Sequence, residues 1–171
     1  MVIIYPMPVI VAVPPIPPTP LLDYARALFR LYYQFLHDTK SCGTHLPALD
    51  DEIATLPTAY TSRGGEVLLA LVDDIPAACI AYRATLSENQ TDAATCDIKR
   101  LFVLPEFRGH GLARSLVVEV LARAAARDFS RAILDTDTST MPAAHALYLS
   151  LGFREYARDE SNLAYLELSL L

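Results

Sequence analysis

The chain has little cysteine, little basic charge and no long hydrophobic run, and each shortage removes a class of function. Cys42, Cys79 and Cys96 are odd in number and widely spaced, with no CxxC pair. That excludes a disulfide framework or a zinc site and fits a reducing cytoplasm. His37, His45, His110 and His145 have no metal-ligand spacing, so no metal is expected. Acidic residues outnumber basic ones by 20 to 14, for a formal net charge of -6. Lysine and arginine never gather into a run that could follow a phosphate backbone, so no nucleic-acid partner is expected. No apolar stretch reaches the roughly 18 residues that cross a bilayer as a helix. The apolar start, Val2 to Val13, lacks a basic segment and is broken by Pro6 and Pro8, unlike a signal peptide. A soluble, cytoplasmic protein without a membrane partner is the expectation.

What is present suffices for a core. Apolar residues make up 53% of the chain and charged residues 20%, enough to offset the entropy of ordering one domain of this length. Residues 1–20 hold seven of the 12 prolines. Proline fixes φ and removes a donor, so this segment is expected to be an arm or edge strand, with residues 21–171 forming a single domain. Leu22, Ala25, Leu28, Phe29, Tyr32 and Leu36 recur at helical spacing and predict a helix over 21–37. Asp50 or Asp51 is placed to cap a short helix running to Leu56. Residues 66–73 and 77–82 read as a strand hairpin, 87–94 as a polar loop, and 96–104 as the central strand. Residues 112–129 carry an apolar stripe and a surface pair, Glu119 with Arg123. Residues 132–135, 142–151 and 163–170 follow as strand, helix and strand. This order predicts an α/β or α+β fold, a mixed sheet flanked by helices.

Between the central strand and the 112–129 helix lies Pro105-Glu106-Phe107-Arg108-Gly109-His110-Gly111-Leu112-Ala113. A turn that delivers two glycines to a helix N-terminus makes an anion site. Unpaired first-turn amides and the positive helix end receive a phosphate, glycine lets backbone approach it, and Arg108 adds charge. His110 offers its backbone amide there rather than its ring. The third glycine of a dinucleotide fingerprint is missing, because Arg114 holds its place, and no Gly-Lys-Ser or Gly-Lys-Thr forms a P-loop. On the residues alone, the two glycines could equally do no more than turn the chain.

The remaining pattern, strand, Pro105, Arg108-x-x-Gly111-x-Ala113 and helix, resembles the pyrophosphate motif of the GNAT acetyltransferase superfamily. Ala143-Ala144-His145-Ala146-Leu147-Tyr148-Leu149-Ser150-Leu151-Gly152-Phe153 resembles its second signature, in which Leu-Tyr is followed by Gly-Phe. Lys99-Arg100-Leu101-Phe102-Val103, with Leu134-Asp135-Thr136 and Met141, is similar to a bacterial and fungal subgroup of mostly unassigned substrate.

The resemblance implies a mostly antiparallel central sheet, acetyl-coenzyme A as co-substrate, and direct transfer of acetyl to a primary amine on a small molecule. It implies that the backbone of Leu101, Phe102 and Val103 holds the pantetheine arm and polarises the thioester carbonyl. Arg108, Gly109, His110, Gly111, Leu112 and Ala113 would hold the pyrophosphate. Tyr148 would protonate the departing thiolate, its alternative being a core tyrosine. Asp97, where relatives often carry Glu, is the candidate base through a water, its alternative being a salt bridge with Lys99 or Arg100. Asp135 and Asp137 either neutralise an incoming amine or cap the turn before Pro142. Tyr32, Tyr33, Tyr60 and Arg83 fall where relatives shape the acceptor cleft. Met141 stands where many relatives carry a cofactor-contacting Asn. A homodimer through residues 163–171 also follows from the family's habit. Two other activities fit the same motifs: acetylation of protein lysines or N-termini, and a non-catalytic acyl-coenzyme A sensor that needs no Tyr148 acid.

Overall fold

In the computed structural model of the chain, residues 7–16, 19–39, 47–86 and 91–171 are described. Their strands are β1 (Val9–Ala12), β2 (Glu66–Val72), β3 (Ile75–Leu86), β4 (Thr91–Val103), β5 (Arg131–Asp137), β6 (Arg154–Arg158) and β7 (Leu163–Ser169). They join in one sheet in the order β1-β2-β3-β4-β5-β7-β6. Every neighbouring pair is antiparallel except β4 with β5, which is parallel. The helices are α1 (Pro20–Asp38), α2 (Pro47–Ala54), α3 (Thr58–Thr61), α4 (Leu112–Ala125) and α5 (Pro142–Ser150). Among the described residues no helix is long and apolar enough to cross a membrane.

Helices cover both faces of the sheet, and this is why β2 is apolar at successive positions instead of alternating. Val67 and Leu69 join one apolar cluster with Leu22, Phe29 and Tyr60, under α1 to α3. Leu68 and Ala70 join the other with Leu112, Leu116, Val117 and Val120, under α4. Leu116 is fully buried, which contributes about 1.5–3 kcal/mol relative to exposure. Helix α1 starts where the sequence dictates: Thr19 Oγ1 accepts the Leu22 amide at 3.3 Å, and Pro20 opens the first turn. Its buried positions, Leu22, Ala25, Leu28, Phe29 and Leu36, follow the predicted stripe. Strand β1 lies at the sheet edge against β2, from Val9 opposite Leu71 to Ala12 opposite Leu68, in the place its flanking prolines allow.

Several expectations are corrected. Helix α2 begins at Pro47, so Asp50 and Asp51 lie within it and cap nothing; Pro47 supplies the start, and Asp50 faces the positive helix end from the first turn. Residues 91–94 of the expected loop are strand, paired with β3 at Leu86 opposite Thr91 and Thr85 opposite Asp92. The pairing reaches these polar residues across a register shift between Ala84 and Thr85, and it tolerates them because side chains do not make its bonds. Helix α4 stops at Ala125, after which Asp128 takes a left-handed φ of 65° and Phe129 turns back into the core. Strand β6, Arg-Glu-Tyr-Ala-Arg, has no apolar alternation because it is an exposed edge, and α3 is a single turn too short for periodicity. Residues 1–6 of the expected arm or edge strand lie outside the described residues, as do Cys42, His45 and 87–90.

Candidate active site

The only parallel junction among the described strands opens into a cleft. Strands β4 and β5 pair at Thr95 with Arg131, Cys96 with Ala132 and Asp97 with Ile133, and then diverge, β4 running on to Val103 and β5 to Asp137. On the opposite side of β4, Lys99 pairs with Ala81 and Phe102 with Cys79, so Arg100 and Leu101 together oppose Ile80 alone. Arg100 has φ of 63°. This two-against-one bulge re-aims β4 where it leaves β5, as bulges beside functional sites do. The wedge is a cleft of about 560 Å³, within the range of small-molecule sites. Leu101, Phe102 and Val103 form one wall, the turn from Phe107 to Arg114 an end, and Thr140 to Ala144 with Leu147 the other wall. Tyr32 and Phe35 reach in from α1.

The turn has the geometry of an anion cradle. Gly109 and Gly111 both have φ of 80°, which only glycine adopts freely, and a Cβ on either would meet nothing within 4 Å. The backbone therefore fronts open space. Gly111 is the N-cap of α4 and no side chain caps that end, so the first-turn amides and the positive helix end are left for a ligand. Arg108 folds back on the sheet: its Nε donates to the Val103 carbonyl at 3.0 Å, and its guanidinium lies 5.4 Å from the Phe35 ring centre and 5.9 Å from that of Phe102. The His110 side chain is exposed and does not line the cleft, whereas Leu112 is buried in the core with its backbone in the turn.

The candidate acid and base sit behind the cleft walls. Tyr148 is 6% exposed, edge-on to Phe153 at 5.7 Å, and adjoins the lining residue Leu147 without lining the cleft itself. Burial, with the Tyr32 phenol and the Asp135 carboxylate nearby, raises its pKa above the usual phenol value, so it carries its proton at neutral pH. Asp97 is opposite Arg83 on β3 and 3.3 Å from Lys99 Nζ; the same Nζ is 2.5 Å from Asp135. Lys99 thus ties β4 to β5 by side chains just where their backbone pairing has ended. Burial raises the Asp97 pKa, and Lys99 opposes that shift. Asp137 accepts from the Ser139 and Thr140 amides and the Ser139 hydroxyl at 2.9, 3.3 and 2.6 Å, so it caps the turn before Pro142.

Comparison with known proteins decides the family: the acetyltransferase (GNAT) profile matches residues 22–153. The chain belongs to the GNAT family. It is 32% identical over 149 residues to the human N-acetylaspartate synthetase, covering 86% of this chain but 43% of that protein. A GNAT acetyltransferase from Staphylococcus aureus superposes with a TM-score of 0.76 at 16% identity, covering 96% of this chain and all of the other. A phosphinothricin acetyltransferase from Sinorhizobium meliloti, solved with acetyl-coenzyme A, gives 0.75 at 16% identity, covering 95% and 88%. At those identities the two structures show the shared fold. The chain thus shares the mixed, mostly antiparallel sheet of its family, and spans less than half the length of the human relative it matches.

On the face of this GNAT sheet covered by α1 to α3, sequence reading missed Glu52. Its carboxylate takes Arg100 Nε at 3.0 Å and a second guanidinium nitrogen at 2.7 Å. It also accepts the Tyr33 hydroxyl at 2.8 Å and the Tyr60 hydroxyl. Of the four residues expected to shape an acceptor cleft, Tyr32 alone lines the opening described; Tyr33 and Tyr60 are engaged by Glu52, and Arg83 lies 5.0 Å over the Tyr60 ring. Phe35 was missed as a lining residue because the stripe read over 21–37 passes from Tyr32 to Leu36 without it. Cys79 and Cys96 are buried, which pushes both thiols up, Cys96 to about 12, so neither supplies a thiolate at neutral pH.

Proposed function

We propose that residues 21–171 form one N-acetyltransferase domain that moves acetyl from acetyl-coenzyme A directly to the primary amine of a small molecule. The observation that carries this reading is the meeting, in one cleft, of an uncapped glycine turn with a strand edge released from its neighbour. The fit is physical: a pyrophosphate suits the open space before Gly109 and Gly111, and an extended pantetheine arm suits the unpaired edge of Leu101 to Val103.

In the reaction the amine nitrogen attacks the thioester carbon, the carbonyl oxygen becomes negative, and the C–S bond then breaks. Backbone N–H groups of the released β4 segment stabilise that oxygen, a contribution of about 3–4 kcal/mol per donor in acyl transfer. Tyr148, held protonated by its burial, gives its proton to the leaving sulfur. The amine must lose a proton, and Asp97, beside Lys99 and Asp135, is the candidate acceptor through water. The relatives named N-acetylaspartate synthetase support a small acceptor over a protein one.

The test is release of free thiol from acetyl-coenzyme A, followed across amines, amino acids and basic peptides. Amine-dependent release supports the proposal, preference for peptides supports protein acetylation, and tight binding with no release supports a sensor. Absence of binding overturns it.

A further inference from the structure

The bulge in β4 places a non-glycine residue, Arg100, in the left-handed region at φ 63°. A conformation that costs about 1–2 kcal/mol persists only where neighbours hold it. The holding group is Glu52 of α2. Its two oxygens grip the Arg100 guanidinium at 3.0 and 2.7 Å, a fork-to-fork geometry that fixes direction as well as distance. The carboxylate is itself fixed by hydroxyls from two other helices, Tyr33 on α1 and Tyr60 on α3, and the guanidinium lies 5.0 Å over the Tyr33 ring. From the strand side, Cys79 Sγ donates to the Arg100 carbonyl at 3.4 Å. Three helices therefore converge on the residue immediately before the wall of the cleft.

We propose that Glu52 is a positioning residue for acetyl transfer, acting through Arg100 to hold the β4 bulge, and with it the backbone of Leu101 to Val103, in the course that stabilises the oxyanion. This rests on the acyl-transfer reading above. It differs from a brace for the fold because the segment it holds is paired on one side only, with β3 at Phe102 and Val103, and its other side, left by β5 after Asp97, faces the cleft. A misplacement of about 1 Å in such a segment costs on the order of 100-fold in rate.

The test uses Glu52→Gln, Arg100→Lys and the double variant, with turnover followed by thiol release per folded protein and acetyl-coenzyme A affinity by calorimetry. Each single variant is expected to lower kcat by roughly 10- to 100-fold and to raise Kd by a much smaller factor, since the phosphate turn is untouched and only the pantetheine edge shifts. The double variant is expected to be no worse than the poorer single one, because both break the same clamp. Where Glu52→Gln does not fold, Arg100→Lys carries the test, as it keeps the ion pair and loses only the second prong. Folded variants with wild-type kcat overturn the proposal, and so does an additive double variant, which would mean that Glu52 acts without Arg100. An inactive wild-type protein would instead sink the acyl-transfer reading.

Discussion

Replacing Gly111 by glutamate separates the fold from the anion cradle, because the two effects have different sizes. A Cβ at Gly111 meets nothing within 4 Å, so the substitution displaces no neighbour. Its folding cost is the left-handed backbone at φ 80°, about 1–2 kcal/mol for a non-glycine residue. For a chain of this length that is a fall of about 2–8 °C in Tm. The ligand meets a carboxylate as well. One unit charge about 5 Å from another at an effective dielectric near 20 gives about 3 kcal/mol of repulsion, or about 100-fold in Kd. Gly111→Ala carries the backbone cost without the charge and is the control. Calorimetric titration with acetyl-coenzyme A, beside thermal melting of both variants, reads the two effects separately. Folded Gly111→Glu that binds with wild-type affinity refutes the assignment of the turn to phosphate. Equal weakening by Ala and Glu would place the effect in backbone shape and refute the electrostatic argument.

Tyr148→Phe keeps the contact with Phe153 and removes only the proton donor; turnover is expected to fall by roughly 10- to 10⁴-fold with little change in acetyl-coenzyme A affinity. Full turnover would return Tyr148 to a packing role. Leu116→Ala, at a fully buried site between α4 and the sheet, is expected to cost about 2–5 kcal/mol in urea unfolding, and a loss under about 1 kcal/mol would contradict the packing described. Glu52 is held below the usual carboxylate range by Arg100 and the two tyrosines, against its burial. Its stabilising contribution is therefore present above the unfolded value, about 4.3, and is lost as pH falls through the lower folded value. Melting of wild type and Glu52→Gln between pH 7 and 3 should converge toward the acid end, and parallel curves would exclude this linkage.

The sequence was most legible where one physical demand acts alone. The α1 stripe and the Gly109 and Gly111 turn follow from local rules of spacing and φ, and the structure has them there. Signals failed where a partner far along the chain decides. Nothing near Glu52 points to Arg100, since their meeting depends on α2 folding across β4. The divergence of β4 from β5 likewise leaves no local mark, because Leu101 to Val103 are as apolar as a fully paired strand. Strand β6 was invisible for the opposite reason: an edge strand with exposed side chains need not alternate. The Lys99 bridge was half visible, its Asp97 side from adjacency and its Asp135 side only once β5 lay alongside.

Because the sheet is clothed separately on its two faces, the protein is divisible for the engineer. Among the described residues, the layer of Leu22, Phe29 and Tyr60 and the layer of Leu116, Val117 and Val120 belong to separate apolar clusters on either side of β2 and β3. Substitutions in clusters without shared partners combine additively to within about 0.5 kcal/mol. Libraries in the apolar layer beneath α1 and α3 can therefore be combined with a fixed α4 layer, provided Phe35, which packs on Arg108 of the cradle, is kept. A second coupling to guard in such a library runs through Glu52, which Tyr33 of α1 and Tyr60 of α3 hold against Arg100 of β4.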